Sequence, residues 1–102
     1  MRELTVIVRD VVDEYLIRLM RYVASQETED AAVRYVKRIR MEIDDLSYLA
    51  PMLPMSKYLL PLRYHKEAKT MTVGKRKLTV IFHIDGEYVI VDKILPSCMI
   101  TY

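Results

Sequence analysis

The chain begins with a short segment in which apolar and polar residues alternate with a period of two. Over residues 3–8, Leu4, Val6 and Val8 fall on one side and the intervening residues on the other, which predicts a first strand. Asp10 follows the end of this alternation and is expected to be the N-cap of a helix. The pattern therefore predicts a strand that leads directly into a helix.

The next two stretches place apolar residues at helical spacing, which predicts two amphipathic helices. The first helix is expected from Asp10 to about Ser25, and the second from an N-cap at Thr28 to about Leu49, since Pro51 follows. Their short connection predicts an antiparallel helical hairpin. The expected buried stripes consist of Val12, Tyr15, Leu16, Leu19, Met20 and Val23 in the first helix and Ala32, Tyr35, Val36, Ile39, Ile43 and Leu46 in the second.

After an irregular, proline-containing crossing segment, the chain changes to β-rich runs. Strands are predicted over residues 69–73, 78–84 and 87–95. Asp85-Gly86, between the last two, is typical of a two-residue type I′ hairpin loop. The predicted fold is α+β: an N-terminal strand, an antiparallel helical hairpin and then an antiparallel β-meander (β-α-α-β-β-β), with the helices on one sheet face. Residues 1–102 form one domain in this prediction.

The loop also predicts the register of the last hairpin, with Ile84 opposite Glu87. The core face would then carry Leu78, Val80, Phe82, Ile84, Val89 and Val91. On the other face, His83 would lie opposite Tyr88, and Thr79 opposite Asp92. Two interpretations of this mixed face remain open: its Ile and Tyr side chains pack beneath a terminal tail or a partner, or the face is a working surface.

Composition restricts the class of protein but not its function. The 102 residues are 52% hydrophobic and 29% charged, which is typical of a soluble globular domain and not of a disordered chain. The single cysteine, Cys98, excludes an intrachain disulfide and favours a reducing cytoplasm. No apolar stretch is long enough to span a membrane, and residues 1–8 lack the apolar core of a signal peptide. A small cytoplasmic domain without membrane association is expected.

Positive charge is concentrated in one segment, Arg63–Lys77, which is called the basic segment below. It carries six cations and one anion, a local net charge of +5 in a chain whose total is +2. This concentration suits an anionic partner, although a solvated loop would show the same composition. The six cations are Arg63, Lys66, Lys69, Lys75, Arg76 and Lys77.

Motifs for nucleotide or metal binding are missing from the sequence. The two histidines, His65 and His83, have no metal-ligand spacing, so neither a metal nor another cofactor is expected. Cys98 has no histidine near it in sequence and is interpreted as a structural or incidental thiol.

Two segments carry a resemblance to a known family. Residues 31–52, AAVRYVKRIRMEIDDLSYLAPM, combine an Ala-rich start, an Ile-spaced middle and a terminal Leu…Pro. Residues 73–97, VGKRKLTVIFHIDGEYVIVDKILPS, form a strand, an Asp-Gly turn and a second strand. With the order of elements, these segments resemble the RelE/ParE superfamily of toxins from bacterial type II toxin–antitoxin modules, over about residues 3 to 100.

The resemblance implies a cytoplasmic growth inhibitor that a cognate antitoxin neutralises. ParE-like members act by binding DNA gyrase, whereas RelE-like members cleave mRNA on the ribosome. Thr79 stands where RelE-like ribonucleases place an arginine, and Leu95-Pro96-Ser97-Cys98 replaces a basic segment. Binding is therefore the favoured activity, with ribosome-dependent mRNA cleavage or a non-toxic interaction module as alternatives.

Target binding and mRNA cleavage each imply particular residues that would carry out the activity. Catalytic residues are not identified, and the candidates for acid–base chemistry are His83, His65 and Lys69, with Lys77 and Tyr102 as further substitutes. The expected contacts to an antitoxin, gyrase, ribosome or mRNA are the six cations of the basic segment.

Overall fold

The computed structural model describes residues 3–100. The helices and strands occur in the order predicted from the sequence, with the predicted second helix divided in two and one additional short helix. The elements are β1 (Thr5–Val8), α1 (Asp10–Gln26), α2 (Glu29–Asp44), α3 (Leu46–Leu49), α4 (Leu59–Leu62), β2 (Lys69–Val73), β3 (Leu78–Asp85) and β4 (Tyr88–Pro96). Two 3₁₀ turns, Ala50–Met52 and Ser97–Met99, follow α3 and β4.

The N-terminus of α1 differs from the prediction, whereas that of α2 agrees with it. Asp10 is the first residue of α1 and not its N-cap. The N-cap is Arg9, which has an extended backbone and whose side chain makes no capping hydrogen bond. At α2 the Thr28 hydroxyl accepts a hydrogen bond from the amide of Ala31, at 3.1 Å. This bond satisfies one of the free donors of the first turn. The predicted second helix is interrupted at Asp45, which separates α2 from α3.

The four strands form one mixed sheet in the order β1-β4-β3-β2. β1 runs parallel to β4, while β4, β3 and β2 are successively antiparallel. A parallel pair requires a long crossover, and the chain between β1 and β4 supplies it. The predicted α+β class and element order are confirmed.

The hairpin between β3 and β4 has a different register from the predicted one. Asp85 pairs with Tyr88, so the loop is Gly86-Glu87 and not Asp85-Gly86. Only Gly86 in this turn has a positive φ, of 61°, which is the requirement of a type II′ turn. The pairing of Ile84 with Glu87 was therefore wrong.

This register changes the partners of the mixed face. His83 pairs with Ile90, and Thr79 pairs with Leu95, so the predicted opposition of His83 to Tyr88 and of Thr79 to Asp92 was wrong. A β-bulge also occurs, because Phe82 pairs with Val91 while Ile81 pairs with Lys93. Asp92 is the additional residue of this bulge.

The core lies between the helices and one face of the sheet. Five of the six strand residues predicted for the core face are buried and Ile84 is partly buried, and they pack against the apolar stripes of α1 and α2. Tyr15, Leu19, Tyr35 and Val36 pack at its periphery. The residues of the central cluster are Val12, Leu16, Ile39, Ile43, Leu46, Ala50, Val73, Leu78, Val80, Phe82, Val89, Val91 and Ile94.

The middle of the opposite, mixed face of the sheet is also buried, whereas Tyr88 at its end is 48% exposed. Thr79 is 4%, Ile81 0% and His83 7% exposed. The chain covers this face itself, since His65 stacks on His83 and Ser97 bonds to Thr79. The segment before β2, together with Ser97, therefore covers part of this face, in place of the terminal tail or partner expected from the sequence.

Among the helices of residues 3–100, none combines the length and the apolar character that crossing a membrane would need.

Candidate functional site

A hydrogen-bonded chain of charged and polar side chains lies on the mixed face of the sheet. Oδ2 of Asp92 accepts a bond from Nδ1 of His83 at 2.6 Å, and Oδ1 accepts one from Nε of Arg9 at 2.7 Å. Asp92 is 5% exposed, so its carboxylate is stabilised in the interior by these two donors. The arrangement fixes the orientation of the His83 ring.

The second histidine lies directly against the first. The rings of His65 and His83 are parallel within 1°, with centroids 3.9 Å apart. The amide of Glu67 donates to Nδ1 of His65 at 3.0 Å, which leaves the proton of the neutral ring on Nε2. His83 carries a proton on Nδ1, towards Asp92, because the carboxylate oxygen can only accept.

Within this network, Nε2 of His83 is the atom that can form a further hydrogen bond. Every fully buried side-chain nitrogen or oxygen in the described part of the chain has a hydrogen-bond partner. Nε2 of His83 has no such partner within residues 3–100, and it therefore retains contact with solvent. An imidazole oriented by a carboxylate, with its second nitrogen open, has the arrangement of a general base.

Alternation along β4 places Asp92 on the same face as His83. Neighbouring residues of a strand point to opposite faces, and Val91 points into the core, so Asp92 points to the mixed face. The bulge, with Asp92 as its additional residue, shifts the alternation beyond it, so that Ile94 returns to the core. Sequence reasoning placed Asp92 on this face, but it missed Arg9, which has no local signal.

Lys69, the third candidate for acid–base chemistry, does not join the histidines. It pairs with Phe82, and cross-strand partners point to the same face, so its side chain belongs to the helix side of the sheet. Its Nζ donates to the carbonyl of Ala50 at 3.0 Å. Lys69 holds the end of α3 against β2 and lies on the opposite face from His83.

The other candidates do not join this network. Lys77 is exposed in the turn between β2 and β3, and Tyr102 lies outside the described residues. Cys98 is a free, exposed thiol. No group of three or more potential metal-binding side chains occurs in the stretch from Glu3 to Ile100.

The cations of the basic segment divide into two groups. Arg63 and Lys66 precede β2, whereas Lys75, Arg76 and Lys77 follow it. The strand between them has five residues, which correspond to about 17 Å. The five cations are exposed, and none of them forms an ion pair with a described residue.

The turn between β2 and β3 has an unusual backbone. Its first three residues have positive φ: 59° at Gly74, 57° at Lys75 and 69° at Arg76. The amide of Gly74 donates to Oε2 of Glu42 at 2.9 Å, and its carbonyl accepts from the amide of Lys77 at 3.2 Å. These bonds hold the turn against α2 in a conformation that residues with a side chain rarely adopt.

A cleft of about 380 Å³ lies beside this turn, between it and the helical hairpin. Three aliphatic side chains line it, Leu19, Val23 and Ile39. Three cations also line it: Arg38, Lys75 and Lys77. Glu27 is the one acidic residue among the described residues of this lining.

A second, more apolar groove of about 470 Å³ lies between α1 and α2. Ile17 and Val33, which are 45% and 50% exposed, line it together with Met20 and Val36. Arg40 at its edge forms an ion pair with Asp13 at 2.6 Å. The helical hairpin therefore presents apolar surface on the side away from the sheet.

Two tyrosines have perturbed acidity, both outside the histidine network. The pKa of Tyr15 is raised above 10.0 by burial and by the neighbouring Tyr35, while Arg18 opposes the shift. The pKa of the exposed Tyr48 is raised by its hydrogen bond to Asp45, whose Oδ1 accepts from the phenol at 3.0 Å.

Comparison with known proteins identifies the fold. No protein-family model matches the chain, and no curated protein matches it. Its structure is similar to a chain of the chromosomal ParDE TA system from P. aeruginosa, with a TM-score of 0.77 and 13% sequence identity. The alignment covers 92% of this chain and 96% of that chain. The protein therefore has, over nearly its whole length, the fold of a chain from a toxin–antitoxin system.

Proposed function

We propose that the protein is the toxin of a type II toxin–antitoxin module, that it inhibits growth by binding a target as ParE-like toxins bind DNA gyrase, and that a cognate antitoxin neutralises it. The observation that carries the proposal is the likeness in fold to a chain of a ParDE system, which extends over 92% of the chain. The RelE/ParE-like sequence patterns of residues 31–52 and 73–97 support the same assignment.

The positions of the candidate catalytic residues favour binding over catalysis. Lys69 is bonded to the Ala50 carbonyl on the helix side of the sheet. His83 is 7% exposed and lies beneath His65. The exposed cations lie in groups at both ends of β2. Phosphoryl-transfer catalysis needs an accessible proton acceptor beside charge stabilisation, and the burial of His83 beneath His65 disfavours it as that acceptor.

The experiment is pulse labelling after the chain is induced alone in bacterial cells. Thymidine incorporation is expected to fall before amino-acid incorporation, and purified protein is expected to inhibit supercoiling by gyrase. Coexpression of the protein encoded by an adjacent reading frame should restore growth. If neither incorporation falls, the chain is a non-toxic interaction module and the proposal is wrong.

One observation favours a second function, ribosome-dependent mRNA cleavage. The Asp92–His83 pair has the geometry of an oriented general base, and the Nε2–H group of His65 adjoins it. In such a reaction Nε2 of His83 would take the proton of a ribose 2′-hydroxyl, whose oxygen attacks the adjacent phosphate as the 5′-oxygen leaves. Amino-acid incorporation would then fall first.

Two histidine variants separate the two functions. Under the binding proposal, His65→Ala and His83→Ala retain growth arrest, provided that thermal melting shows a folded protein. Under the catalytic alternative, His83→Ala abolishes arrest. His65→Ala is the better-matched control for folding, because it leaves the Asp92–His83 bond in place.

A further inference from the structure

The segment that covers His83 is anchored over the sheet by one side chain. It comprises residues 63–67, between the buried Pro61 and the buried Ala68. Four of its five side chains are exposed, and His65 alone is half-buried. His65 lies on His83 with the two ring centroids 3.9 Å apart. A segment with so few buried contacts is expected to open locally without unfolding of the sheet.

The position of His65 depends on a neutral ring. Its Nδ1 accepts a hydrogen bond from the amide of Glu67 at 3.0 Å, and an imidazole nitrogen accepts only when it carries no proton. A proton taken up from solvent at Nδ1 would set two N–H donors against each other, so this bond would be lost. An amide without an acceptor favours a conformation in which water can bond to it.

The ring beneath His65 opposes a charge on it. Asp92, the carboxylate bonded to His83 at 2.6 Å, is already shared with Arg9. It therefore does not neutralise a charge on His65. When both rings are protonated, two like charges lie about one ring separation apart and repel each other, and movement of the covering segment relieves this repulsion.

The other charged groups around the two rings are in contact with solvent. Solvated charges are screened at physiological ionic strength, so these groups affect the charge of His65 less than the ring beneath it does. On the mixed face, β1 and β2 carry only threonine and isoleucine. The titratable groups are Arg63, Tyr64, Lys66 and Glu67 in the covering segment, Asp85 in β3, and Tyr88 and Lys93 in β4.

We propose that residues 63–67 form a proton-operated cover over the Asp92–His83 pair. With a neutral ring, His65 lies on His83 and hides it. With a protonated ring, the segment leaves the mixed face and exposes His83. Histidine ordinarily changes charge near about pH 6.5, so the cover opens as the pH falls from about 7 to about 5. The opening also moves two cations of the basic segment. The inference goes beyond the proposed function and holds whether or not the chain is a toxin.

Amide hydrogen exchange of the full chain at about pH 8 and about pH 5 tests the cover. The quantity compared is the protection factor, which is corrected for the intrinsic effect of pH on exchange. Protection of Glu67 and Ala68 is expected to fall at least about tenfold at the lower pH, because both amides bond to His65. Protection in β3 is expected to change less than about twofold.

Two matched variants identify the group that takes up the proton. His65→Phe keeps a ring that can stack but has no titratable nitrogen, so the difference in Ala68 protection between the two pH values is expected to disappear. Ala68 is the reporter because its amide bonds to the backbone carbonyl of residue 65, which the substitution retains. Lys66→Gln, at the next residue, is expected to keep the difference of about tenfold found in the parent.

A paramagnetic relaxation agent dissolved in the buffer measures the exposure of His83 in the unaltered chain. The NMR signal of its ring Cε1–H is expected to broaden at about pH 5 and to stay sharp at about pH 8. A signal that is equally sharp at both pH values would overturn the proposal.

Three exchange results would also overturn it: equal protection of Ala68 in the parent at both pH values, the same pH dependence in His65→Phe as in the parent, or a loss of protection that extends through β3. None of these measurements uses growth arrest, so a chain that opens with pH without arresting growth contradicts only the proposed function.

Discussion

At the scale of single residues, the two hairpin turns of the sheet differ in the residues that adopt positive φ. The β3–β4 turn needs one positive φ and has glycine there, at Gly86. The β2–β3 turn has three in succession, and two of these residues carry long cationic side chains. Backbone strain is therefore localised in the β2–β3 turn, beside the cleft between this turn and the helical hairpin.

Gly86 gives a direct test of the β3–β4 turn. A Cβ at this position would meet no atom within 4 Å, so any loss of stability reports backbone strain alone. Gly86→Val is expected to lower the unfolding free energy by about 1–3 kcal/mol, measured by denaturant titration. Gly86→Asn, which tolerates the left-handed region better, should lose less. Equal stability of the Val variant and the parent would contradict the positive φ.

Tyr15 predicts how stability depends on alkaline pH. Its pKa is raised above 10.0 in the folded chain, so the folded state holds the phenol proton more tightly than the unfolded state does. The resulting stabilisation is complete below pH 10 and is lost as the pH rises through the folded pKa. Tyr15→Phe is expected to reduce the fall in unfolding free energy above pH 10.

The matched control for this titration is Tyr58→Phe, at a site 47% exposed. It removes a phenol hydroxyl without opening the core. A pH profile for Tyr15→Phe that coincides with that of the parent would contradict the prediction.

The residues at the turns also show what sequence alone can predict. Asp85-Gly86 correctly indicated a tight hairpin, but a glycine with positive φ serves a type I′ turn at the second position or a type II′ turn at the first. The choice shifts the register by one residue. The apolar alternation still placed Phe82 and Val91 in the core, because the requirement to bury that face is independent of the turn type.

At the scale of elements, the Arg9–Asp92–His83 network joins parts of the chain that are distant in sequence. Arg9 lies between β1 and α1, Asp92 in β4 and His83 in β3. His65, which stacks on His83, belongs to the segment between α4 and β2. Asp92 thus links the start of the chain to the middle of the sheet.

The two bonds of Asp92 are expected to differ in their contribution to stability. Asp92→Ala leaves the buried His83 without its partner and is expected to cost about 2–4 kcal/mol. Arg9→Ala removes a side chain that is 56% exposed and is expected to cost at most about 1 kcal/mol. Chemical denaturation of both variants measures the difference.

A combined variant completes this comparison. If Arg9→Ala adds nothing further in the Asp92→Ala background, the arginine acts through Asp92. A larger loss for Arg9→Ala than for Asp92→Ala would contradict the assignment of Asp92 as the centre of the network.

The elements were predictable to within a few residues, but their assembly into a site was not. The periodicity of apolar residues shows which face of a single helix or strand is buried. It therefore predicted the strands and the helical hairpin. The contact between His65 and His83 depends on the path of an irregular segment with three prolines, which no periodic pattern describes. The β-bulge at Asp92 likewise arises from pairing between strands.

At the scale of the whole molecule, the sheet depends on the parallel pairing of β1 with β4. Leu4, Val6 and Val8 pack against the core from this edge. The amide of Thr5 also donates to the carbonyl of Glu87, in the β3–β4 turn, at 2.9 Å, and the amide of Arg9, directly after β1, donates to that of Val91 in β4 at 3.1 Å. The strand therefore contributes both apolar burial and hydrogen bonds.

Removal of residues 1–8 is expected to prevent cooperative folding. Full burial of three aliphatic side chains stabilises a protein by about 4–9 kcal/mol. Leu4, Val6 and Val8 are partly buried, so their removal together with the β1–β4 pairing takes away a large part of the total stability of about 5–15 kcal/mol typical of small domains. Thermal melting followed by circular dichroism measures the effect. Retention of a cooperative transition by the truncated chain would contradict it.

A pair of point variants in β1 tests its contribution to stability with a smaller change than the truncation. Val6→Ala shortens a side chain that packs on the core, whereas Ile7→Ala changes one that is 42% exposed. The first is expected to be the more destabilising of the two.

The strand order has a consequence for the time at which the protein becomes structured during synthesis. β4 lies between β1 and β3, yet it is the last of the four strands to be translated. Until β4 leaves the ribosome, β1 has no neighbour in the sheet, and the contact that closes the fold joins segments more than 80 residues apart. Folding must therefore wait until β4 has been synthesised. During that delay the apolar faces of the helical hairpin and of β3 are exposed together, so a nascent chain is open to chaperones and proteases before it can bind any target.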